Sequence, residues 1–236
     1  MAAPEAPTET PLTAEQVFDD LGPSYETAFA DLPAQAASLQ WLLSRMPGPA
    51  AGGTRARIVD LGCGTGRPVA STLAAAGHDV LGVDISAAMV AAARERVPAA
   101  RFEQADAREF LRRPGQAGTY DAATAYFSLI AGVTQAEIRA AVAGVFALLQ
   151  PGGLFVFATV PLPAEELPIR WMGRPVVVSS LAPEEAVACI AAAGFVVEHD
   201  AQSRFTPRAA EAGICGADDV WGEPHLFVYA RKPETE

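Results

Sequence analysis

Val59-Asp60-Leu61-Gly62-Cys63-Gly64-Thr65-Gly66 sets an apolar run directly before three glycines at alternate positions. Residues 57–61 predict a buried strand, and the glycines a loop whose backbone must approach a ligand closely, which a Cβ would prevent. In open α/β sheets, ligands sit at the carboxyl ends of strands, where the strand order reverses. A dinucleotide fingerprint would put its third glycine where Arg67 stands. Asp60, two residues before the first glycine, would repel a pyrophosphate and suits the ammonium of an amino-acid moiety. A nicotinamide oxidoreductase is therefore disfavoured.

Working outward, strands and helices alternate. Residues 68–76 predict a helix stopped by Gly77, residues 79–83 a second strand, and residues 86–96 a helix capped by Ser86. A short strand at 101–104 and a fourth at 120–126 follow. A long helix at 135–149 closes at Pro151-Gly152-Gly153, and residues 154–160 form strand five. Residues 161–181 fit no clean period. A helix at 183–193, a strand from 195 to about 199 or 204, and a last strand at 226–231 complete the chain. Alternation of this kind implies βαβ units and a mostly parallel sheet.

Before the glycine loop, residues 1–13 are rich in Pro, Thr, Glu and Ala and predict a disordered tail. Residues 14–46 carry two helical stripes separated by Gly22-Pro23. The net charge of −11 and the scattered arginines argue against a nucleic-acid partner. No apolar run reaches membrane-spanning length, the start lacks a secretory pattern, and three widely spaced cysteines suit a reducing, cytoplasmic setting. A monomer or homodimer is expected.

Two further carboxylates extend the ligand reading. Asp84 ends strand two, where a carboxylate can accept from a ribose diol; its alternative is a cap on the next helix, a place Ser86 fills better. Asp106 follows strand three, where it can accept from an adenine amino group beside the Ala107 N–H, or simply cap a helix.

In order and spacing these segments resemble the motifs of class I S-adenosylmethionine-dependent methyltransferases, small-molecule branch with menaquinone-type motifs. VDLGCGTG resembles the first motif, VLGVDIS the second and QADAREF the adenine segment. YDAATAYFSL resembles the strand-four motif, and LLQPGGLFVFATV that of strand five. The resemblance implies a Rossmann-like α/β fold with a seven-stranded sheet of order 3-2-1-4-5-7-6, the last strand antiparallel. It divides the chain into an N-terminal helical lid at 14–50 and the methyltransferase domain at 51–236, with an acceptor-binding insertion at 161–182. S-adenosylmethionine is the implied cofactor, held by Tyr25, Asp60, Gly62, Cys63, Gly64, Asp84, Ile85, Met89, Asp106, Ala107 and Ala125.

The strand-four tip, Ala125-Tyr126-Phe127-Ser128, lacks the tetrapeptide of base-amine methylation and the Pro-Cys pair of cytosine methylation. Asp121 starts that strand instead of ending it, so no metal is expected. A metal-independent enzyme acting on a small molecule remains, in secondary or housekeeping metabolism. An oxygen nucleophile is expected, because a lone histidine base near an aromatic wall suits a hydroxyl or carboxylate; nitrogen or carbon methylation, aminopropyl transfer, and a cofactor-binding protein without transfer stay open. If the last strand begins on the cofactor face, His225 opens onto the site as general base or substrate contact, or else positions a loop. Tyr126 is expected to line methyl and acceptor, and Tyr25 to cover the cofactor from the lid or pack within it. Trp171 and Met172 would form an apolar wall, with Arg170 or Arg174 meeting an acidic group, unless that segment is a surface hairpin. The long loop 205–222 is a candidate lid.

Overall fold

Strand β1 (Arg57–Leu61) buries its last four residues completely or nearly so, the continuous apolar pattern of a strand covered on both faces. The computed structural model, which describes residues 9–234, builds outward from it. Parallel neighbours β2 (Asp79–Asp84) and β4 (Tyr120–Tyr126) flank β1, with β3 (Arg101–Gln104) beyond β2 and β5 (Leu149–Thr159) beyond β4. Two strands, β6 (Ala164–Trp171) and β7 (Arg174–Ser180), form a separate antiparallel hairpin. The main sheet ends in β8 (Val196–Phe205) and β9 (Glu223–Arg231), giving the order β3-β2-β1-β4-β5-β9-β8 with β9 antiparallel to both neighbours. Counted within this sheet alone, that is the expected 3-2-1-4-5-7-6 order.

Two apolar layers cover the sheet. On one face α3 (Pro33–Arg45), α4 (Val69–Ala75) and α5 (Ala87–Arg96) bring Leu39, Leu42, Leu73 and Val90 onto Ile58, Ala122 and Val156. On the other, α6 (Ala107–Leu111), α7 (Gln135–Leu148) and α8 (Pro183–Ala192) bring Phe110, Val142, Val145 and Ile190 onto Val59, Leu61 and Phe155. Among the described residues no helix is long and apolar enough to cross a membrane.

A third cluster lies beyond these layers, where α1 (Ala14–Leu21) and α2 (Ser24–Ala28) meet the hairpin. Val17, Leu21 and Ala28 pack with Met172, Val176, Val178 and Ala209. The N-terminal segment is thus three helices instead of two: Gly22-Pro23 makes the first break, and Pro33 at the first turn of α3 makes the second. Residues 1–8 of the expected tail lie outside the described residues. Residues 9–13 are not loose. The Leu12 N–H donates to the Pro175 carbonyl at 2.9 Å, and Thr13 forms a capping box with Gln16 at the start of α1.

The segment without a clean period is the β6–β7 hairpin. Pro168 and Pro175 sit within it, as proline can in a two-stranded ribbon where every strand is an edge. Its pairing runs from Ala164 opposite Ser180 to Trp171 opposite Arg174. Strand β9 starts at Glu223, three residues before the expected Leu226, and this shift decides the acceptor side of the site.

Candidate cofactor and acceptor site

The chain leaves β1 through Gly62, at φ +73°, where a Cβ would meet the Ser128 Cβ at 2.1 Å. The β4 tip therefore lies against the loop only because this residue is glycine. Gly64, at φ +53°, has open space where a Cβ would stand. Below the loop Asp60 is buried. Its Oδ1 accepts from Thr124 Oγ1 at 2.7 Å, while Oδ2 has no partner among the described residues. Burial pushes this carboxyl up to about 7, against the Thr124 bond and with the help of the nearby Asp84 charge. An unsatisfied buried carboxylate oxygen suits a cationic donor.

Asp84 ends β2 and holds the loop's shape. Oδ2 accepts from the Gly64 N–H at 2.8 Å and Oδ1 from the Ser86 N–H at 2.9 Å. Burial raises its pKa, the backbone bonds opposing. A carboxylate has about four acceptor positions, so about two remain for a diol. Ser86 is the cap of α5, accepting from the Met89 N–H at 3.1 Å. Ile85, Met89, Asp106 and Ala107 line one open cleft of about 780 Å³ with Asp84, Gly62 and Gly64.

Asp106 caps α6, and both its oxygens bond Arg108, whose Nη2 lies 2.6 Å from Oδ2. Burial works to raise its pKa, but the Arg108 bonds and charge prevail and hold it below the usual range. The helix-capping alternative is what the geometry displays, and any adenine contact shares an occupied carboxylate. Ala125 is a correction. Its side chain is buried in the core against Val59 and Leu61 and lines none of the clefts around the loop. Cys63, also buried, packs near Gly82, where a Cβ would come within 2.8 Å of its Sγ.

A second cleft opens beneath α2 and α3, bordered by Asp60, Cys63, Thr65 and Tyr126. A third is walled by Phe18, Phe29, Trp171, Trp221 and aliphatic side chains of the hairpin. Tyr25 and Phe127 border all three. Burial drives the Tyr25 phenol far above its ordinary range, with the charges of Glu223 and Asp84 adding to it.

Several expected acceptor residues are displaced. Tyr126 faces the first two clefts and not the aromatic chamber; its hydroxyl is 2.6 Å from Ser38 Oγ on α3. Phe127, at φ +56°, turns into the chamber in its place. Met172, at φ +48° in the hairpin turn, is buried against Val17 and Leu21 and does not line the chamber, whereas Trp171 does. His225 is fully buried, its ring centroid 4.4 Å from that of Phe127 and tilted 48° to it, and borders none of the three clefts. The chamber residue of β9 is Glu223: Oε1 accepts from Trp171 Nε1 at 2.8 Å, and Oε2 lies 3.4 Å from His225 Nε2. Arg170 pairs with Glu9 and Arg174 with Asp20, so neither reaches the chamber.

Two carboxylates fasten the N-terminal helices over the loop. Asp19 on α1 accepts from Ser86 Oγ at 2.6 Å and from the Ala88 N–H at 3.1 Å. Glu26 on α2 accepts from Thr65 Oγ1 at 2.7 Å and pairs with Arg96.

An unpartnered buried carboxylate, a glycine cradle, a strand-end carboxylate with free lone pairs and an apolar floor fit S-adenosylmethionine, which carries an ammonium, a ribose diol and a flat base. Residues 58–153 match the family model described as a methyltransferase domain. Over that segment the chain is similar to class I S-adenosylmethionine-dependent methyltransferases. It is 41% identical over 115 residues to trans-aconitate 2-methyltransferase of Paracidovorax citrulli, a match covering 48% of this chain and 40% of that one. The chain thus aligns with less than half the length of that relative. Among solved structures, an S-adenosylmethionine-dependent methyltransferase from Mesorhizobium loti superposes with a TM-score of 0.60 at 25% identity, over 86% of this chain and 99% of that one. A [4+2]-cyclase superposes with a TM-score of 0.62 at 21% identity, over 94% and 96%, a likeness of fold alone.

Proposed function

We propose that this chain transfers the methyl group of S-adenosylmethionine to an oxygen of a small molecule held in the aromatic chamber. The observation that carries this reading is the meeting of the polar clefts and the apolar chamber at Tyr25 and Phe127. When bound, the cofactor supplies an electrophilic sulfonium methyl, and the C–S bond pair stays on sulfur as the methyl leaves. Asp60 meets its ammonium, Asp84 its ribose, and Ile85 and Met89 its base. Gly62 and Gly64 admit it to the backbone. Residues 14–50 serve as the lid, and the hairpin within 161–182 as the acceptor-binding insertion.

Transfer of this kind depends chiefly on alignment. Holding nucleophile and methyl in line can supply ~7–11 kcal/mol of the barrier, and the phenyl and indole walls exclude water from the line of attack. The test is incubation with methyl-labelled S-adenosylmethionine and a panel of hydroxylated small molecules. Label in an O-methyl product, with S-adenosylhomocysteine formed in equal amount, supports the reading. Absence of S-adenosylhomocysteine binding by calorimetry overturns it.

A further inference from the structure

We infer that the acceptor is a flat, apolar aromatic molecule whose hydroxyl meets Glu223, and that polycarboxylates are excluded; this rests on the methyl-transfer reading above. Among the described residues six aromatic side chains, Phe18, Tyr25, Phe29, Phe127, Trp171 and Trp221, line the chamber, and none that lines it is basic. Glu223 is the one carboxylate among them. The lining hydroxyl of Ser180 is already engaged with Thr159 at 3.1 Å. The hairpin arginines are spent elsewhere: Arg170 on Glu9, and Arg174 on Asp20 and on the Met172 carbonyl at 2.7 Å.

Charge decides the chemistry. An anion entering this chamber would lose its hydration, find no cationic side chain, and face the Glu223 carboxylate. A neutral planar ring meets phenyl and indole surfaces with which it can stack or pack edge to face. Trans-aconitate, named for the relative above, is a tricarboxylate and does not suit this lining.

Glu223 has the lone pairs to receive a hydroxyl. Trp171 holds Oε1 and His225 stands behind Oε2, so the carboxylate is fixed while part of its acceptor capacity stays open. As the acceptor oxygen forms its bond to the methyl carbon, the hydroxyl proton passes to Glu223. His225 is in this arrangement a positioning residue, because it touches Glu223 and not the chamber.

The test is calorimetry on the full chain saturated with S-adenosylhomocysteine, using 2-naphthol, 2-naphthoate and trans-aconitate as probes. The expected order is 2-naphthol at least about tenfold tighter than 2-naphthoate, with no trans-aconitate binding. Trp221→Ala and Leu162→Arg alter chamber residues that are 43% and 39% exposed, so both variants are expected to fold and to bind S-adenosylhomocysteine as the parent does. Trp221→Ala should weaken 2-naphthol about fivefold, and Leu162→Arg should reverse the naphthol–naphthoate preference. Glu223→Gln should strengthen 2-naphthoate about tenfold. Tighter trans-aconitate than 2-naphthol binding overturns the inference, as does 2-naphthol binding that is undetectable or indifferent to Trp221→Ala and Leu162→Arg. If S-adenosylhomocysteine itself fails to bind, the methyl-transfer reading falls instead.

Discussion

Trp171 Nε1 donates to Glu223 Oε1 across 2.8 Å and so joins the last residue of the β6 strand to the first residue of β9. The bond orients a carboxylate that is 6% exposed. Trp171→Phe keeps an aromatic wall but removes the donor. A hydrogen bond to a charged group is worth about 1.5–3 kcal/mol, so acceptor turnover should fall roughly 10- to 100-fold. The calorimetric affinity for S-adenosylhomocysteine should stay unchanged. A parallel loss of cofactor affinity would mean that the indole supports the fold of the whole site, not the carboxylate alone.

Asp84 has a different signature, because its two bonds go to backbone N–H groups of the glycine loop and of Ser86. Asp84→Ala leaves both donors without their partner and removes the carboxylate proposed to meet the ribose diol. The expected result is at least about a hundredfold loss of S-adenosylhomocysteine affinity, from about 3 kcal/mol of lost charged hydrogen bonding. Asp84→Asn retains one acceptor oxygen and should fall between the two. Parent-like affinity in Asp84→Ala would remove the ribose assignment.

Much of this arrangement was legible in the sequence, and the exceptions share a cause. Parallel strands buried on both faces announce themselves as apolar runs, and alternate glycines after β1 mark a ligand loop, so the main sheet and the Asp60 and Asp84 positions follow. The acceptor side depends on where side chains point at strand ends, which period-2 reasoning does not reach. Phe127 enters the chamber through a left-handed backbone step just past β4. Met172 turns inward by the same device, leaving its neighbour Trp171 on the chamber. On β9, Glu223 and His225 are two residues apart and share a face. Only an early strand start brings Glu223 to the chamber and seals His225 behind it. Prolines 168 and 175 obscured the hairpin, since a strand pattern interrupted by proline reads as loop.

Asp60 should make cofactor binding depend on pH. Its carboxyl is raised to about 7 by burial, from an ordinary value of about 4. A raised pKa means the folded chain holds this proton more tightly than the unfolded chain. Its contribution to stability is therefore full below about pH 4 and is lost as pH rises towards 7. An arriving ammonium favours the ionised form, so binding near pH 6 should release a proton and affinity should rise up to about pH 7. Calorimetry in buffers of different ionisation enthalpy measures that release. Asp60→Asn should abolish it, and an unchanged release in that variant would exclude Asp60 as its source.

Asp19 bears on how the cofactor enters. It joins α1 to the start of α5 through Ser86 Oγ and the Ala88 N–H, and Phe18 beside it and Tyr25 beyond line both the cofactor cleft and the chamber. If α1 and α2 form a lid, loosening this tie should speed cofactor exchange without altering the residues that hold the cofactor. Asp19→Ala removes the acceptor and costs about 1 kcal/mol of net hydrogen bonding. The thermal midpoint should drop by about 2–4 °C for a chain of this size. The dissociation rate of S-adenosylhomocysteine, followed by stopped-flow tryptophan fluorescence, should rise about fivefold, while Asp60→Asn shows no such selective gain in rate over its loss of affinity. An unchanged dissociation rate in Asp19→Ala, with the expected fall in midpoint, would make the tie a stabilising contact and leave cofactor entry to another segment.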